Sequence, residues 1–96
     1  RTTSTDSGSY ISYQDNSTSP SSAVRTGAIA NDLVLWAGNS ERARIDSSGN
    51  LGIATSTPGD KLEIGGAGAG IILASPDGTR YRLTVANGGT LSIAAV

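Results

Sequence analysis

The residues in this chain able to do acid–base or metal chemistry are eight carboxylates: Asp6, Asp15, Asp32, Glu41, Asp46, Asp60, Glu63 and Asp77. There is no His and no Cys. The commonest general base and metal ligand is therefore missing, and Ser/His/Asp or Cys/His relays cannot be assembled within the chain. Paired carboxylates are the one catalytic arrangement left. Glu41 and Asp46 are the candidate pair, which could lie on one face across a strand. The acids are scattered, however, mostly beside turns, where capping backbone N–H groups explains each of them. The chain reads as a non-enzyme, with no metal site and no cofactor expected. Asp15-Asn16 offers oxygen ligands for calcium but lacks EF-hand spacing, and Asn16-Ser17-Thr18 has the form of a glycosylation acceptor. Gly65-Gly-Ala-Gly-Ala-Gly70 contains a Gly-x-Gly spacing. No Lys-Ser/Thr follows it, and Ile71-Ile-Leu-Ala74 reads as strand, so no helix N-terminus is available for a phosphate. A hinge, or a close approach of backbones around an axis, is the expected role of that run. Trp36 is the one indole and a candidate sugar platform, with Tyr81 and Arg82 as candidate companions; the competing reading is a Trp filling a core between subunits.

The elements that must hold these residues follow a period of two. Ala43 and Ile45 alternate with Arg42, Arg44 and Asp46; Leu51 and Ile53 share a face; Leu62 and Ile64 alternate with Lys61 and Glu63. That is the pattern of half-buried strands. Ser47-Ser48-Gly49-Asn50 is a turn cluster between the first two, and Pro58 stops the second because it has no N–H for a ladder. Leu33-Val34-Leu35-Trp36 is a continuous apolar run bounded by Asn31-Asp32 and Gly38-Asn39, which predicts a strand covered on both faces. Ser75-Pro76-Asp77-Gly78 predicts a type I turn and Asn87-Gly88-Gly89 a second reversal. Tyr81, Leu83 and Val85 alternate with Arg80, Arg82 and Thr84, and Leu91, Ile93 and Ala95 alternate with Ser92 and Ala94. Residues 71–96 therefore predict a three-stranded antiparallel meander with one apolar face, whose outward Arg80 and Arg82 face solvent or pair with Glu63 or Asp77. Residues 1–30, rich in Ser, Thr, Asp and Gly, predict a polar N-terminal arm or linker in which Tyr10, Ile11 and Tyr13 would support at most one short strand. The domain reading is thus arm 1–30, central β segment 31–64, and glycine-rich hinge with meander 65–96.

Composition limits what such elements can do alone. Twelve of the apolar residues are Ala and 23 are larger, with one Trp, three Tyr and no Phe. A lone domain of 96 residues buries only about two-thirds of its unfolded surface, and this one has few large side chains with which to do it. No amphipathic helix is present to cover a one-faced sheet. Copies of the chain covering one another is the expected solution, with Leu33, Leu35, Ile45, Leu51, Ile53, Leu62, Ile64, Leu83, Val85, Leu91 and Ile93 as the interface. A net charge of −1 lacks the basic footprint of a nucleic-acid binder. No apolar run is long enough for a membrane-spanning helix, and the polar N-terminus has no signal pattern. A chain that begins at Arg1 and holds no Met is expected to be a processed product or part of something longer.

The stretch from Glu41 to Pro58, Glu-Arg-Ala-Arg-Ile-Asp-Ser-Ser-Gly-Asn-Leu-Gly-Ile-Ala-Thr-Ser-Thr-Pro, resembles the ERMRIDSSGNVGIGT-S-P segment that recurs in tail-fibre and related appendage proteins of tailed bacteriophages. The likeness extends through Ile64, about a quarter of the chain. Two departures stand out: Ala43 where Met is usual and Ala54 where Gly is common. Ser75 to Val96 resembles the closing hairpin of some phage appendage proteins. The resemblance implies an all-β, elongated, intertwined homotrimer (a β-prism or a triple-stranded β-helix-like fibre segment) with a C-terminal antiparallel meander. It also implies a virion location, other virion proteins as partners, and a mechanical or host-adsorption role as tail fibre. A capsid decoration or head-fibre protein, and a receptor-recognition module for a host surface glycan, are the alternatives.

Overall fold

The computed structural model describes residues 7–96. The first six residues of the expected arm, Asp6 among them, lie outside the described residues. The fold is all-β, with nine strands among the described residues: β1 (Gly8–Tyr13), β2 (Val24–Ile29), β3 (Asp32–Ala37), β4 (Ser40–Ile45), β5 (Leu51–Ile53), β6 (Leu62–Ile64), β7 (Ile71–Ala74), β8 (Arg80–Val85) and β9 (Leu91–Ala95). They form a six-stranded sheet in the order β1-β2-β3-β4-β5-β6 and a three-stranded sheet in the order β7-β8-β9. The chain divides into two compact units between Gly65 and Gly66, inside the glycine–alanine run.

The expected division at residue 30 is not a boundary of the sheet. β1 pairs with β2 along its whole length, and β2 pairs with β3 across that point. The one short strand that Tyr10, Ile11 and Tyr13 would support is β1, and residues 24–29, read as arm, form β2. Their half-covered positions mix Gly, Ser and Thr with Tyr10, Arg25 and Ile29, so no apolar period marks them, and it is the ladder with β3 that holds them extended.

Turn chemistry accounts for most of the reversals. Gly38 and Asn39, at φ 60° and 64°, form the two-residue connection between β3 and β4 with both central residues left-handed, the type I′ geometry that matches strand twist. Residues 46–50, 75–79 and 86–90 share one pattern. The N–H at the fourth position (Gly49, Gly78, Gly89) donates to the carbonyl at the first (Asp46, Ser75, Ala86) at 2.8–3.0 Å, and the first N–H donates to the carbonyl at the fifth at 2.8–2.9 Å. Each fourth-position Gly has positive φ, as a type I turn closed by a left-handed bulge residue requires. At 86–90 the third residue, Gly88, is also left-handed at 90°, which makes that turn type II. After β5, Pro58 is buried, and the chain returns so that β6 runs parallel to β5.

Residues 71–96 form the predicted meander: Ile71, Leu83 and Ile93 stand in one row across the three strands, and Leu73, Tyr81 and Ala95 in the next. Because residues paired across a ladder share a face, the larger sheet also sorts cleanly. Ile11, Tyr13, Val24, Leu33, Leu35, Ile45, Ile53 and Leu62 are exposed and all lie on one face. The opposite face carries Tyr10, Arg25, Asp32, Val34, Trp36 and Arg44. Val34, at 0 %, and Ala23, at 5 %, are buried, as is Pro58. β3, expected to be covered on both sides, is covered within the chain on the Val34 side and open on the Leu33 and Leu35 side.

Candidate functional site

The polar face of the six-stranded sheet is built by two arginines. Arg25 sits in the corner made by two aromatic rings, its guanidinium carbon 3.7 Å from the Trp36 ring centre and 4.4 Å from that of Tyr10. The rings themselves meet edge to face, 6.4 Å apart at 74°. Gly27, opposite Tyr10 in register, makes this corner: a Cβ there would strike the Tyr10 ring and the Ser9 carbonyl. Stacking of cation on indole is favourable where water is excluded. It buries Arg25 Nε and Trp36 Nε1 without a hydrogen-bond partner.

Arg44 is the second organiser. Its Nε donates to Glu41 Oε2 at 2.9 Å and its Nη2 to Glu41 Oε1 at 2.5 Å, a bidentate pair, while Nη1 reaches Asp32 Oδ2 at 3.0 Å. Asp32 Oδ1 accepts the Ser47 N–H at 2.9 Å, which ties the start of β3 to the β4–β5 turn. Hydrogen bonding to Glu41 raises the Arg44 pKa above its already high ordinary value, desolvation opposes it, and Asp32 adds to the rise. In a regular strand, residues three apart point to opposite faces. Here the pairing with β3 shifts by one between Leu35/Ala43 and Trp36/Glu41. This β-bulge turns Glu41 onto the Arg44 face. Plain alternation places Glu41 on the other side, so the triad was invisible to period counting; the register shift that creates it leaves no mark in the residue types.

The remaining carboxylates have local work. Asp46 accepts the N–H groups of Ser48 and Asn50, and Glu63 accepts that of Gly59. Asp15 is held by the Thr18 hydroxyl and the Ser17 N–H, which lower its pKa. The Ser75 hydroxyl, foremost, and the Thr79 N–H lower that of Asp77 to about 2. Glu41 and Asp46 thus have separate partners and form no free pair. Among the described residues no ion pair joins Asp77 to Arg80 or Arg82. Among the described residues no three acidic side chains are grouped as a metal site. An open concavity of about 600 Å³ borders Glu41, Arg42, Arg44, Ile53 and Thr55, but Glu41 and Arg44 neutralise each other in its wall.

The candidate sugar contacts are divided between the two units. Trp36 belongs to the first unit, half-buried against Arg25, and lies on the face opposite Leu33 and Leu35. Tyr81 and Arg82 belong to the second unit and, as neighbours on β8, face opposite sides of it. Of the candidate interface residues, Leu33, Leu35, Ile45, Ile53, Leu62, Val85, Leu91 and Ile93 are exposed, while Leu51, Ile64 and Leu83 are half-buried. The first unit's set lies on one face of the larger sheet, and Leu83, Val85, Leu91 and Ile93 lie on one face of the smaller.

No family model matches the chain, and neither the curated proteins nor the solved structures include a match.

Proposed function

We propose that this chain is a structural segment of a phage virion appendage, a tail fibre, in which three copies cover one another's apolar sheet faces and form a stable stalk or tip that supports adsorption to the host. The observation that carries the reading is the sorting of the six-stranded sheet. Eight large apolar side chains are exposed on a single face, and the buried apolar side chains among the described residues are Ala23, Val34 and Pro58. An apolar surface this continuous marks an interaction site, and full burial of each such side chain contributes about 1.5–3 kcal/mol. Exposed ion pairs contribute about 0–1 kcal/mol each, so apolar contact dominates assembly. The likeness of residues 41–64 to the appendage segment supplies the virion setting. In this reading Arg44 and Arg25 stiffen the outward face while the inward face makes the interface.

Light scattering on the purified chain tests the assembly: a trimer mass is expected, together with a band that survives SDS at room temperature and collapses to monomer on boiling. A folded monomer at micromolar concentration would overturn the proposal. Electron microscopy of particles labelled on this chain tests the setting, with label expected on the tail.

A further inference from the structure

We propose that Asn87 is a site of spontaneous covalent modification, an asparagine that converts to aspartate and isoaspartate through a cyclic imide while the protein is folded. The reaction needs an asparagine followed by a residue whose backbone nitrogen can reach the side-chain carbonyl, and a side chain on that residue obstructs the approach. Asn87 is followed by Gly88, the one Asn-Gly pair in the chain. Both residues are exposed at the tip of the β8–β9 turn. The turn is held by Gly89 N–H to the Ala86 carbonyl and by Ala86 N–H to the Thr90 carbonyl. Gly88 N–H takes part in neither bond, and among the described residues no hydrogen bond engages it or the Asn87 side chain. The attacking nitrogen is therefore free to lose its proton and to turn.

The steps balance without any co-reactant but water. The Gly88 nitrogen attacks Asn87 Cγ and a C–N bond forms. The Cγ–Nδ2 bond then breaks, and ammonia leaves carrying the proton that Gly88 gave up. The five-membered imide is favoured because both partners belong to adjacent residues. Water then opens it at either carbonyl. One opening gives aspartate; the other gives isoaspartate, whose main chain runs through the former side chain and is longer by one atom.

The other turns show what protection looks like. Asp77-Gly78 in the β7–β8 turn is the nearest chemical relative, since Asp-Gly reaches the same imide by loss of water. There the Gly78 N–H is bound to the Ser75 carbonyl at 2.8 Å, and the carboxylate is held by the Ser75 hydroxyl at 2.6 Å and the Thr79 N–H at 2.9 Å. An ionised carboxylate in that cradle is a poor electrophile. Among the other asparagines, Asn16 precedes Ser17, whose N–H is held by Asp15 at 2.9 Å. Asn50 precedes Leu51, whose N–H is held by the Lys61 carbonyl at 2.9 Å. Asn31 and Asn39 precede the first residues of β3 and β4, both of which carry side chains. One turn of the smaller sheet is thus built to last and its neighbour is built to age. Isoaspartate at 87 would lengthen the turn next to the Val85–Leu91 pair and disturb β9, whose Leu91 and Ile93 lie on that sheet's apolar face.

Incubation of the purified chain in mildly alkaline buffer at physiological temperature, followed by peptide mapping, tests this. A one-dalton gain confined to the peptide holding Asn87 is expected first, with isoaspartate detected there by a methyltransferase assay, and no such gain in Asn87→Ser. A gain that appears first at another asparagine, isoaspartate at Asp77 ahead of position 87, or a folded chain that stays unchanged while its urea-unfolded form deamidates, would overturn the proposal.

Discussion

Ala54 holds φ at 61° directly after β5, a conformation in which an L-residue's Cβ crowds the following carbonyl at a cost of about 1–2 kcal/mol. Replacing it with Gly removes that cost. The opposing term is the greater freedom of Gly in the unfolded chain, about 0.4–1 kcal/mol. The Ala54 side chain is exposed, so losing its methyl removes little buried surface, and its N–H bond to the Arg42 carbonyl at 3.0 Å is kept. The balance favours Ala54→Gly by about 0.5–1 kcal/mol. In a chain of this size that raises the melting temperature by roughly 2–8 °C. Gly49, at the other end of the same strand, is the reciprocal control: its φ is 85°, and a Cβ there would meet no atom within 4 Å. Gly49→Ala therefore isolates the backbone term and should lower the midpoint by a similar amount. Both are read by thermal and urea unfolding at one fixed protein concentration, since association feeds into apparent stability. A midpoint that falls in Ala54→Gly, or stays put in Gly49→Ala, would refute the reasoning.

A carboxylate placed in the open face should block the proposed assembly without touching the turns, so Leu35→Asp is expected to give a monomer by light scattering where a trimer is expected of the parent chain; an unchanged mass would remove that face from the interface. Arg44→Met leaves Glu41 and Asp32 facing each other with side chains only 18 % and 19 % exposed, and should cost about 2–4 kcal/mol in urea unfolding, with Arg44→Lys recovering only part because it lacks the two-pronged donor. Asp77 is held at about 2 against an ordinary 3.8, so its ionised form favours the folded state. That contribution is present above about pH 4 and fades as the pH falls towards 2; acid unfolding of Asp77→Ala followed by circular dichroism should show a smaller loss across that window than the parent chain shows.

The turns and the alternating runs of residues 40–96 were legible in the sequence because they rest on local chemistry. Gly49 and Gly78 stand where a left-handed residue is needed, Pro58 ends a ladder, and Leu83 and Ile93 alternate with polar neighbours whatever lies around them. Of residues 8–29 only the short strand around Tyr10, Ile11 and Tyr13 was legible, because Gly, Ser, Thr, Arg25 and Ile29 at the other half-covered positions carry no apolar period. The hairpin signal that would have placed them was present in Gly38-Asn39 and Ala30-Asn31, two-residue connections on either side of Leu33–Trp36. Arg25, Tyr10 and Trp36 are far apart in sequence, and only the pairing of β1, β2 and β3 brings them to one corner.

By itself, then, the sequence determined that the chain is all-β, where residues 40–96 reverse, and that its apolar residues are too few and too one-sided to close over a core. Those properties follow from side-chain type and spacing at short range. The tertiary structure alone decided that β1 and β2 join the sheet, that β6 returns parallel to β5, and that a one-residue shift beside Trp36 turns Glu41 towards Arg44. Register is a property of two strands at once, and neither strand's own residues record it.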